Sequence, residues 1–297
     1  MRILITGGTG LIGRRLCSSL LDHGHVLTVF SRHPETVRSL CGNAVHAMQS
    51  LDEYHVDTEF DAIINLAGEP IVDKRWTSAR QKVLRDSRIA LTEKLLQKIS
   101  AANFKPEVFL SGSAVGIYGN GGDQLFSEQA AVGKDFGAHL CADWEAAANR
   151  AADMGIRVCI LRTGLVLDAA GGILKKMHLP FSLALGARIA DGKQWMSWIH
   201  VQDYVAIVRY LLDDKNAAGP YNMVAPHPVT NREFTQTLAA ALHRPALFVA
   251  PAFLLKLAMG DMAELLTGGQ RVQPMHVAEL GYEFQYPYLA EALHDLL

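Results

Sequence analysis

A glycine-rich segment close to the amino terminus carries the clearest chemical signal in this sequence. Residues 6–13 read Thr-Gly-Gly-Thr-Gly-Leu-Ile-Gly and follow a short apolar run at residues 3–5. Glycine lets the backbone come close to a phosphate group, and the N-terminus of a following helix offers free N–H groups to that anion. Leu16, Leu20 and Leu21 have the apolar spacing of such a helix. The segment therefore predicts a strand, a phosphate-binding turn and a helix, the order that a dinucleotide site requires.

The next chemically informative residues follow a second apolar run, at residues 26–30. This run ends in Ser31 and Arg32, and the first acidic residue after it is Glu35. An acidic residue at the end of this strand suits the ribose hydroxyls of NAD, whereas an arginine suits the 2′-phosphate of NADP. The planar guanidinium of Arg32 and the hydroxyl of Ser31 therefore predict NADP as the cofactor. The alternative is an arginine that simply ends a strand at the surface.

The elements that must position these residues alternate between strand and helix over about the first 165 residues. We predict strands at 26–30, 44–47, within 61–68, at 107–111 and at 157–166, and helices at 77–102 and 136–154. This alternation predicts an α/β fold, a Rossmann-type doubly wound parallel sheet with a smaller C-terminal α/β region. Any ligand is expected at the edge where the strands end.

The pattern changes after Gly171 and Gly172. We expect a helix at 173–185 that Pro180 interrupts, a short strand at 195–199, and a helix at 201–212 that packs back on the sheet. The predicted organisation is an NADP-binding Rossmann domain at 1–170 and a C-terminal substrate or cap region at 171–297. Some strands and helices of the second region are expected to return to the first.

Several motifs resemble the extended short-chain dehydrogenase/reductase superfamily, in its sugar-nucleotide epimerase/dehydratase branch. The matching segments, besides the glycine-rich turn, are 65–68, 111–114, 118–119 and 198–203. A closer resemblance is to the atypical YfcH-like epimerase-family proteins of bacteria, and it covers essentially the whole chain. The segments that carry this closer resemblance are 67–71, 74–76, 143–145 and 268–271.

The resemblance implies NADP binding and a set of contact residues, but it implies no particular substrate. The expected cofactor-binding residues are Gly7, Gly10, Leu11, Ile12, Gly13, Ser31, Arg32, Leu66, Ala67, Gly68, Arg88 and Val166. Arg88 stands where relatives in the wider superfamily often have an asparagine, and Val166 lies at a strand end expected near the nicotinamide. The substrate class stays open between small carbonyl or hydroxyl compounds and nucleotide-linked ones.

One departure from the superfamily concerns its catalytic pair. A tyrosine and a lysine in the spacing Tyr-x-x-x-Lys share one helix face, where the lysine charge lowers the pKa of the tyrosine that transfers the proton. This chain has eight tyrosines, and none is followed by lysine four residues later. Alignment on Glu145 places Gly137 and Cys141 at the two positions. Glycine cannot transfer a proton, so the pair is missing.

Three residues are candidates to replace this pair. Ser113 keeps the position of the superfamily serine, and Tyr118 lies just beyond it; we take both as the predicted catalytic residues. His139 lies on the expected helix and titrates in a useful range. Each also has a non-catalytic interpretation: a local hydrogen bond for Ser113, packing or substrate lining for Tyr118, and a solvent-facing position for His139.

Glu69 follows the turn at residues 67–68, and two interpretations are open for it. It faces the cleft, or it forms an ion pair with Arg75. Arg271 is a candidate partner for an acidic substrate, and it is equally compatible with a solvated surface position. Asp203 is expected to act structurally, as an early acid of its helix that complements the helix dipole.

The composition narrows the classes of protein and of binding partner that fit this sequence. The chain has 297 residues, a formal net charge of −2, 49% hydrophobic and 20% charged residues. These values favour a globular protein with a small-molecule substrate and give no sign of a nucleic-acid or membrane partner. Four scattered cysteines without Cys-x-x-Cys spacing favour a reduced, cytoplasmic protein, and no metal-binding motif is present. A homodimer stays open, as does the choice between an NADP-dependent enzyme and a non-catalytic NADP(H) sensor.

Overall fold

The computed structural model describes residues 1–260 and 262–297 as a chain of alternating strands and helices. The strands are β1 Arg2–Thr6, β2 Val26–Phe30, β3 His46–Met48, β4 Ala62–Asn65, β5 Val108–Ala114, β6 Leu125–Phe126, β7 Arg157–Thr163, β8 Leu165–Leu167, β9 Ala187–Ile189, β10 Trp195–Met196, β11 Trp198–His200, β12 Gly219–Met223, β13 Val229–Thr230, β14 Phe248–Ala250 and β15 Arg271–Val272. The helices are α1 Leu11–Asp22, α2 Val37–Cys41, α3 Ser78–Arg85, α4 Leu91–Ala101, α5 Phe136–Asn149, α6 Gly172–Ser182, α7 Val201–Asp213, α8 Asn231–Ala241, α9 Ala252–Met259, α10 Glu264–Thr267, α11 Met275–Glu279 and α12 Leu289–Leu296.

Seven of these strands form one parallel sheet in the order β12-β7-β5-β4-β1-β2-β3. Its central strands are apolar on both faces, as parallel strands covered by helices on both sides must be. Ile3 and Ile5 point to a core shared with α1 and α7, whereas Leu4 points to a core shared with α4. The predicted α/β, Rossmann-type doubly wound fold is confirmed.

The chain order reverses on either side of β1, because β2 and β3 lie on one side of it and β4, β5, β7 and β12 on the other. Such a switch point leaves a crevice beyond the carboxyl ends of the strands, where ligands of this fold class bind. The glycine-rich turn leaves β1 at this point, so the topology brings the residues after β1, β2 and β4 to one place.

The structure differs from the predicted elements at a few boundaries. The helix predicted at 77–102 is divided into α3 and α4 by a π-helical turn, Asp86–Ala90. The strand predicted at 157–166 breaks at Gly164, whose N–H donates to Met223 while the next N–H donates to Ser197, so the chain moves from β12 to β11. The expected interruption at Pro180 is wrong, because α6 runs through it and ends two residues later.

Residues beyond 170 contribute to the first sheet as well as to smaller layers. Strand β12 pairs with β7 at the sheet edge, and α7 packs on α1. The remaining C-terminal helices α8 and α12 pack on each other around a separate apolar cluster that includes Phe234 and Leu293. The proposed division at residue 170 stays a prediction. Within the described part of the chain, no helix has the length and apolar character needed to span a membrane.

Candidate functional site

A groove of about 760 Å³ lies beyond the carboxyl ends of β1, β2 and β4. It is lined by Gly7, Thr9, Gly10, Phe30, Ser31, Arg32, His33, Leu66, Ala67, Gly68, Glu69, Asp86, Ser87, Ala90, Leu91 and Lys94. Seven of the twelve predicted cofactor-binding residues line it: Gly7, Gly10, Ser31, Arg32, Leu66, Ala67 and Gly68. The three sequence segments that predicted the site therefore meet in one groove.

The floor of the groove is the turn between β1 and α1, which lies in direct contact with the end of β4. Gly7 has φ +74°, and a Cβ there would lie 2.8 Å from the Leu66 carbonyl oxygen. A Cβ on Gly13 would lie 2.3 Å from the carbonyl oxygen of Gly7. Only glycine fits at these two positions. Gly10 caps α1 without a side-chain hydrogen bond, so the first N–H groups of the helix have neither an intrahelical partner nor a side-chain cap.

The remaining residues of this first turn lie beside the groove. The Leu11 side chain lies against Gly171 and Gly172, and the Val166 carbonyl also lies close to Gly172. Val166 is therefore near the start of α1. Leu11, Ile12, Gly13 and Val166 do not line the described groove, so their contact with the cofactor stays a prediction.

An ion pair between a half-exposed arginine and a buried aspartate fixes α1 to the segment that follows β8. Arg15 donates from Nε and Nη2 to the two carboxylate oxygens of Asp168, each at 2.7 Å. The Asp168 side chain is fully buried, and the guanidinium of Arg15 lowers its pKa despite that burial. This bidentate contact sets the position of the helix whose N-terminus closes the groove.

A chain of buried hydrogen bonds supports the groove from below. The Thr6 hydroxyl donates to the Asn65 side-chain oxygen at 2.7 Å and accepts from the backbone N–H of Ala67 at 3.2 Å. The Asn65 amide donates to the Thr92 hydroxyl at 2.8 Å, and the Trp144 indole donates to the same hydroxyl at 3.2 Å. These contacts join β1, β4, α4 and α5, and so fix the backbone that lines the groove.

Arg88 packs against Gly68, which lines the groove, but Arg88 does not line the groove itself. It lies on the π-helical turn, close against Gly68, and donates to the backbone oxygens of Glu69 and Leu84 at 3.0 and 3.2 Å. Its guanidinium also lies 5.4 Å from the centre of the Trp144 ring. Burial lowers the pKa of Arg88, and no carboxylate of the described residues pairs with it. A half-buried cation therefore stands at the edge of the groove.

One wall of the groove consists of residues that were not predicted from the sequence. Ser87, Leu91 and Lys94 come from the π-helical turn and α4, and they line the groove together with Asp86 and Ala90. Their spacing of four and three residues places them on one helix face, which was the available signal. That signal carried no information about which ligand the face meets.

The carboxylate of Glu69 lies between two arginines. Its Oε1 lies 2.9 Å from Nη1 of Arg32, and its Oε2 lies 3.2 Å from Nη1 of Arg80. The hydrogen bonds from Arg80 and then Arg32 hold the pKa of Glu69 below its usual value. The alternative pairing with Arg75 is not formed, since Arg75 donates to the carbonyl oxygens of Leu257 and Ala258 at the end of α9.

A second cluster of polar residues, centred on Ser113 at the end of β5, is closed and buried. The Ser113 hydroxyl donates to Oε1 of Glu145 at 2.6 Å. Arg162 donates from Nε and Nη2 to the two oxygens of Glu145, at 2.9 and 2.8 Å. Burial alone would lower the pKa of Arg162, but the hydrogen bonds and charge of Glu145 outweigh it and raise that pKa. The single proton of Ser113 is therefore directed at a carboxylate.

Tyr118 belongs to the same cluster. Its hydroxyl donates to the side-chain oxygen of Asn222 at 2.6 Å and accepts from Nη1 of Arg162 at 3.0 Å. The ring stacks on Phe126 with 5.1 Å between centroids, and burial raises the pKa of the phenol. We call Ser113, Tyr118, Glu145, Arg162 and Asn222 the buried network. Within this network, Tyr118 joins the turn after β5 to strands β7 and β12.

Helix α5 carries the positions of the missing catalytic pair. Gly137 and Cys141 are buried there, as is Glu145, whereas His139 is exposed to solvent. The catalytic assignments of Ser113 and Tyr118 stay predictions. Asp203, in contrast, is fully buried and accepts hydrogen bonds from the Tyr282 hydroxyl and two backbone N–H groups, which is a structural arrangement.

Residues with metal-binding side chains are dispersed in this structure. Across residues 1–260 and 262–297, no three His, Cys, Asp or Glu side chains come together in a way that could hold a metal ion. The four cysteines are buried and free.

Comparison with known proteins extends the sequence resemblance. The model of the NAD dependent epimerase/dehydratase family matches residues 3–224, and that of a domain of unknown function, DUF1731, matches residues 250–296. An epimerase family protein of Mycobacterium bovis is 38% identical over 295 residues, which are 98% of this chain and 96% of that protein.

Two solved structures are similar over the whole of this chain. The crystal structure of human epimerase family protein SDR39U1 with NADPH is 34% identical, with a TM-score of 0.90 and 99% of that chain covered. A nucleoside-diphosphate sugar epimerase from Corynebacterium glutamicum is 28% identical, with a TM-score of 0.78 and 58% of that chain covered.

Proposed function

This chain belongs to the NAD dependent epimerase/dehydratase family, and we propose that it binds NADP(H) in the groove beyond β1, β2 and β4. We further propose that it acts as an epimerase-like oxidoreductase on a small carbonyl or hydroxyl substrate, which includes nucleotide-linked substrates. The observation that carries the proposal is the meeting of the glycine turn with Ser31 and Arg32 in one open groove.

The residues present fit a phosphorylated dinucleotide. The glycine turn and the free N–H groups at the start of α1 form a cradle for a pyrophosphate, and a Cβ at Gly7 or Gly13 would collide with the backbone against which the turn is packed. At the other end, Arg32 offers a guanidinium and Ser31 a hydroxyl to a 2′-phosphate. The similar human protein was crystallised with NADPH, which favours the phosphorylated coenzyme.

When bound, a nicotinamide coenzyme would exchange a hydride with a substrate carbon, and residues of this chain would hold the substrate oxygen beside it. We assign Ser113 to the hydrogen bond with the substrate oxygen. Because Glu145 accepts the Ser113 proton, the lone pairs of the serine oxygen are left to accept from a substrate hydroxyl. Tyr118 is the second proposed catalytic residue, and its contacts with Arg162 and Asn222 favour a supporting part in the same chemistry.

The cofactor assignment is tested with Arg32→Ala. Loss of a charge-assisted hydrogen bond should weaken NADPH binding by about 1.5–3 kcal/mol, or roughly 10- to 150-fold, and leave NADH binding nearly unchanged. Titration calorimetry with both coenzymes, on wild type and variant, measures the difference. Equal losses for NADPH and NADH would contradict recognition of the 2′-phosphate by Arg32.

A second candidate function is a non-catalytic NADP(H) sensor. The observation that favours it is the closed state of the buried network, in which the Ser113 proton and both Glu145 oxygens already have partners. Gly137 stands where the family places its catalytic tyrosine, which favours the same interpretation.

Turnover separates the two functions. Turnover is followed in both directions, as NADPH oxidation with a panel of carbonyl compounds and as NADP⁺ reduction with the corresponding hydroxyl compounds, for wild type and for Ser113→Ala. An enzyme should show turnover that falls in the variant while the NADPH dissociation constant stays within about twofold. Tight coenzyme binding without turnover on any compound of the panel would favour the sensor.

A further inference from the structure

The ion pair between Arg32 and Glu69 crosses the groove in which we place the cofactor. Arg32 follows β2 and Glu69 follows β4, and both line the groove. Their closest atoms, Nη1 and Oε1, lie 2.9 Å apart. The guanidinium proposed to bind the 2′-phosphate is therefore already occupied by a carboxylate of the same chain.

The two partners of Glu69 differ in their surroundings. The Arg32 side chain is 80% exposed, whereas the Arg80 side chain is 11% exposed and also donates to the Pro70 carbonyl at 2.5 Å. An exposed ion pair contributes little and is easily exchanged, while a pair that is fixed by burial and a second hydrogen bond persists. Arg80 is thus the lasting partner of Glu69, and Arg32 is the exchangeable one.

This asymmetry supports a specificity-determining role for Glu69. We propose that Glu69 competes with the 2′-phosphate of NADP(H) for Arg32, and that Arg80 retains the carboxylate when Arg32 turns to the phosphate. The inference rests on the proposed function, because it requires that the coenzyme binds in this groove. Under this proposal, Glu69 lowers the affinity for NADPH relative to that for NADH, and Arg80 limits this loss of affinity.

The first consequence concerns Glu69→Gln, which keeps the shape of the side chain and removes its charge. NADPH binding should become about two- to fivefold tighter, the range expected for loss of an exposed ion pair, and the ratio of NADPH to NADH affinity should rise. The gain should shrink at high salt, since the Arg32 side of the pair is open to solvent screening.

The second consequence concerns Arg80→Gln, and it has the opposite sign. Without Arg80, the full charge of Glu69 falls on Arg32, so the ratio of NADPH to NADH affinity should fall. In the Glu69→Gln background the same substitution should leave the ratio unchanged. A direct effect of Arg80 on the phosphate would instead lower the ratio equally in both backgrounds.

The experiment measures NADPH and NADH dissociation constants by titration calorimetry for wild type, both single variants and the double variant. The matched control is Glu59→Gln, which removes a carboxylate paired with Arg2 at the start of β1. Its affinity ratio should equal that of wild type.

The proposed competition is supported if Glu69→Gln raises the ratio of NADPH to NADH affinity and if adding Arg80→Gln to that variant leaves the ratio unchanged. A ratio in Glu69→Gln that equals or falls below that of wild type overturns it, as does an Arg80→Gln loss of the same size in both backgrounds. A wild-type protein that binds neither coenzyme refutes the proposed function, which is a different result from an unchanged ratio. Far-ultraviolet circular dichroism of each variant establishes that it is folded.

Discussion

The cofactor groove and the buried network both contain charged and hydrogen-bonding side chains. Those of the groove are open to a ligand, whereas those of the network are paired with one another. In the groove, the helix N-terminus has no side-chain cap, and Arg32 is exposed and paired only with Glu69; beside the groove, Arg88 has no carboxylate partner among the described residues. In the buried network, Ser113, Glu145 and Arg162 satisfy one another at 2.6 to 2.9 Å. The two regions lie at the same edge of one sheet, after neighbouring strands β4 and β5.

This difference indicates which region has capacity for a ligand. Donors that lack protein partners, or that hold one exposed and easily exchanged ion pair, gain from binding an anion, whereas donors in a closed, buried network must first lose a partner. The positions of the missing catalytic pair, Gly137 and Cys141, lie on the same helix as Glu145 of the buried network. We infer that the charges of this network chiefly fix β5, α5 and β7, and that recognition of the coenzyme is concentrated in the groove.

The largest expected effect would break the buried side of this comparison. Arg162→Met leaves the Glu145 carboxylate buried without its cation, which should lower the free energy of unfolding by about 3–5 kcal/mol. Urea unfolding measures the loss. The double variant Arg162→Met/Glu145→Leu should recover much of it, because no buried charge is left unpaired. If Arg162→Met were as stable as wild type, the buried network would not be stabilising the fold.

A smaller effect is expected at the ion pair beside the groove. Arg15 holds the pKa of Asp168 below its unfolded value of about 4, so the pair stabilises the fold above that pH and its contribution disappears as the pH falls through the folded pKa. Asp168→Asn should lower the free energy of unfolding at pH 6 by about 1.5–3 kcal/mol.

The pH dependence provides the check on this pair. Between pH 6 and pH 3 the variant should lose less stability than wild type, as measured by urea unfolding at both values. Parallel losses in the two proteins would show that the pair does not contribute in the way its geometry indicates.

The smallest expected effect sharpens the groove side. A Cβ on Gly10 would lie 3.2 Å from the Gly7 carbonyl, at the point where a pyrophosphate would meet the turn. Gly10→Ala should weaken NADPH and NADH alike, by about 1 kcal/mol or fivefold, while Arg32→Ala affects NADPH alone. Calorimetry with both coenzymes compares the two variants. Unequal losses for Gly10→Ala would place the turn at a different part of the coenzyme.

The sequence predicted the groove because its components are local. A glycine turn and a strand end have fixed neighbours in the chain, and parallel strands bring their carboxyl ends together. The ion pair of Glu69 with Arg80 was not predicted, since it depends on how the segment at residues 69–77 folds back. The same holds for Arg162, whose contacts with Glu145 and Tyr118 join residues 17 and 44 positions apart. Side-chain pairing across loops has no periodic signal, and the sequence pattern was silent about it.

Hydrogen–deuterium exchange with and without NADPH tests most directly the claim that the groove binds the coenzyme while the buried network stays closed. Added NADPH should slow exchange at residues 7–13, 31–33 and 66–69, and leave the segment around Ser113 and Glu145 unchanged. Protection confined to the buried network, or no protection anywhere at saturating NADPH, would contradict the account.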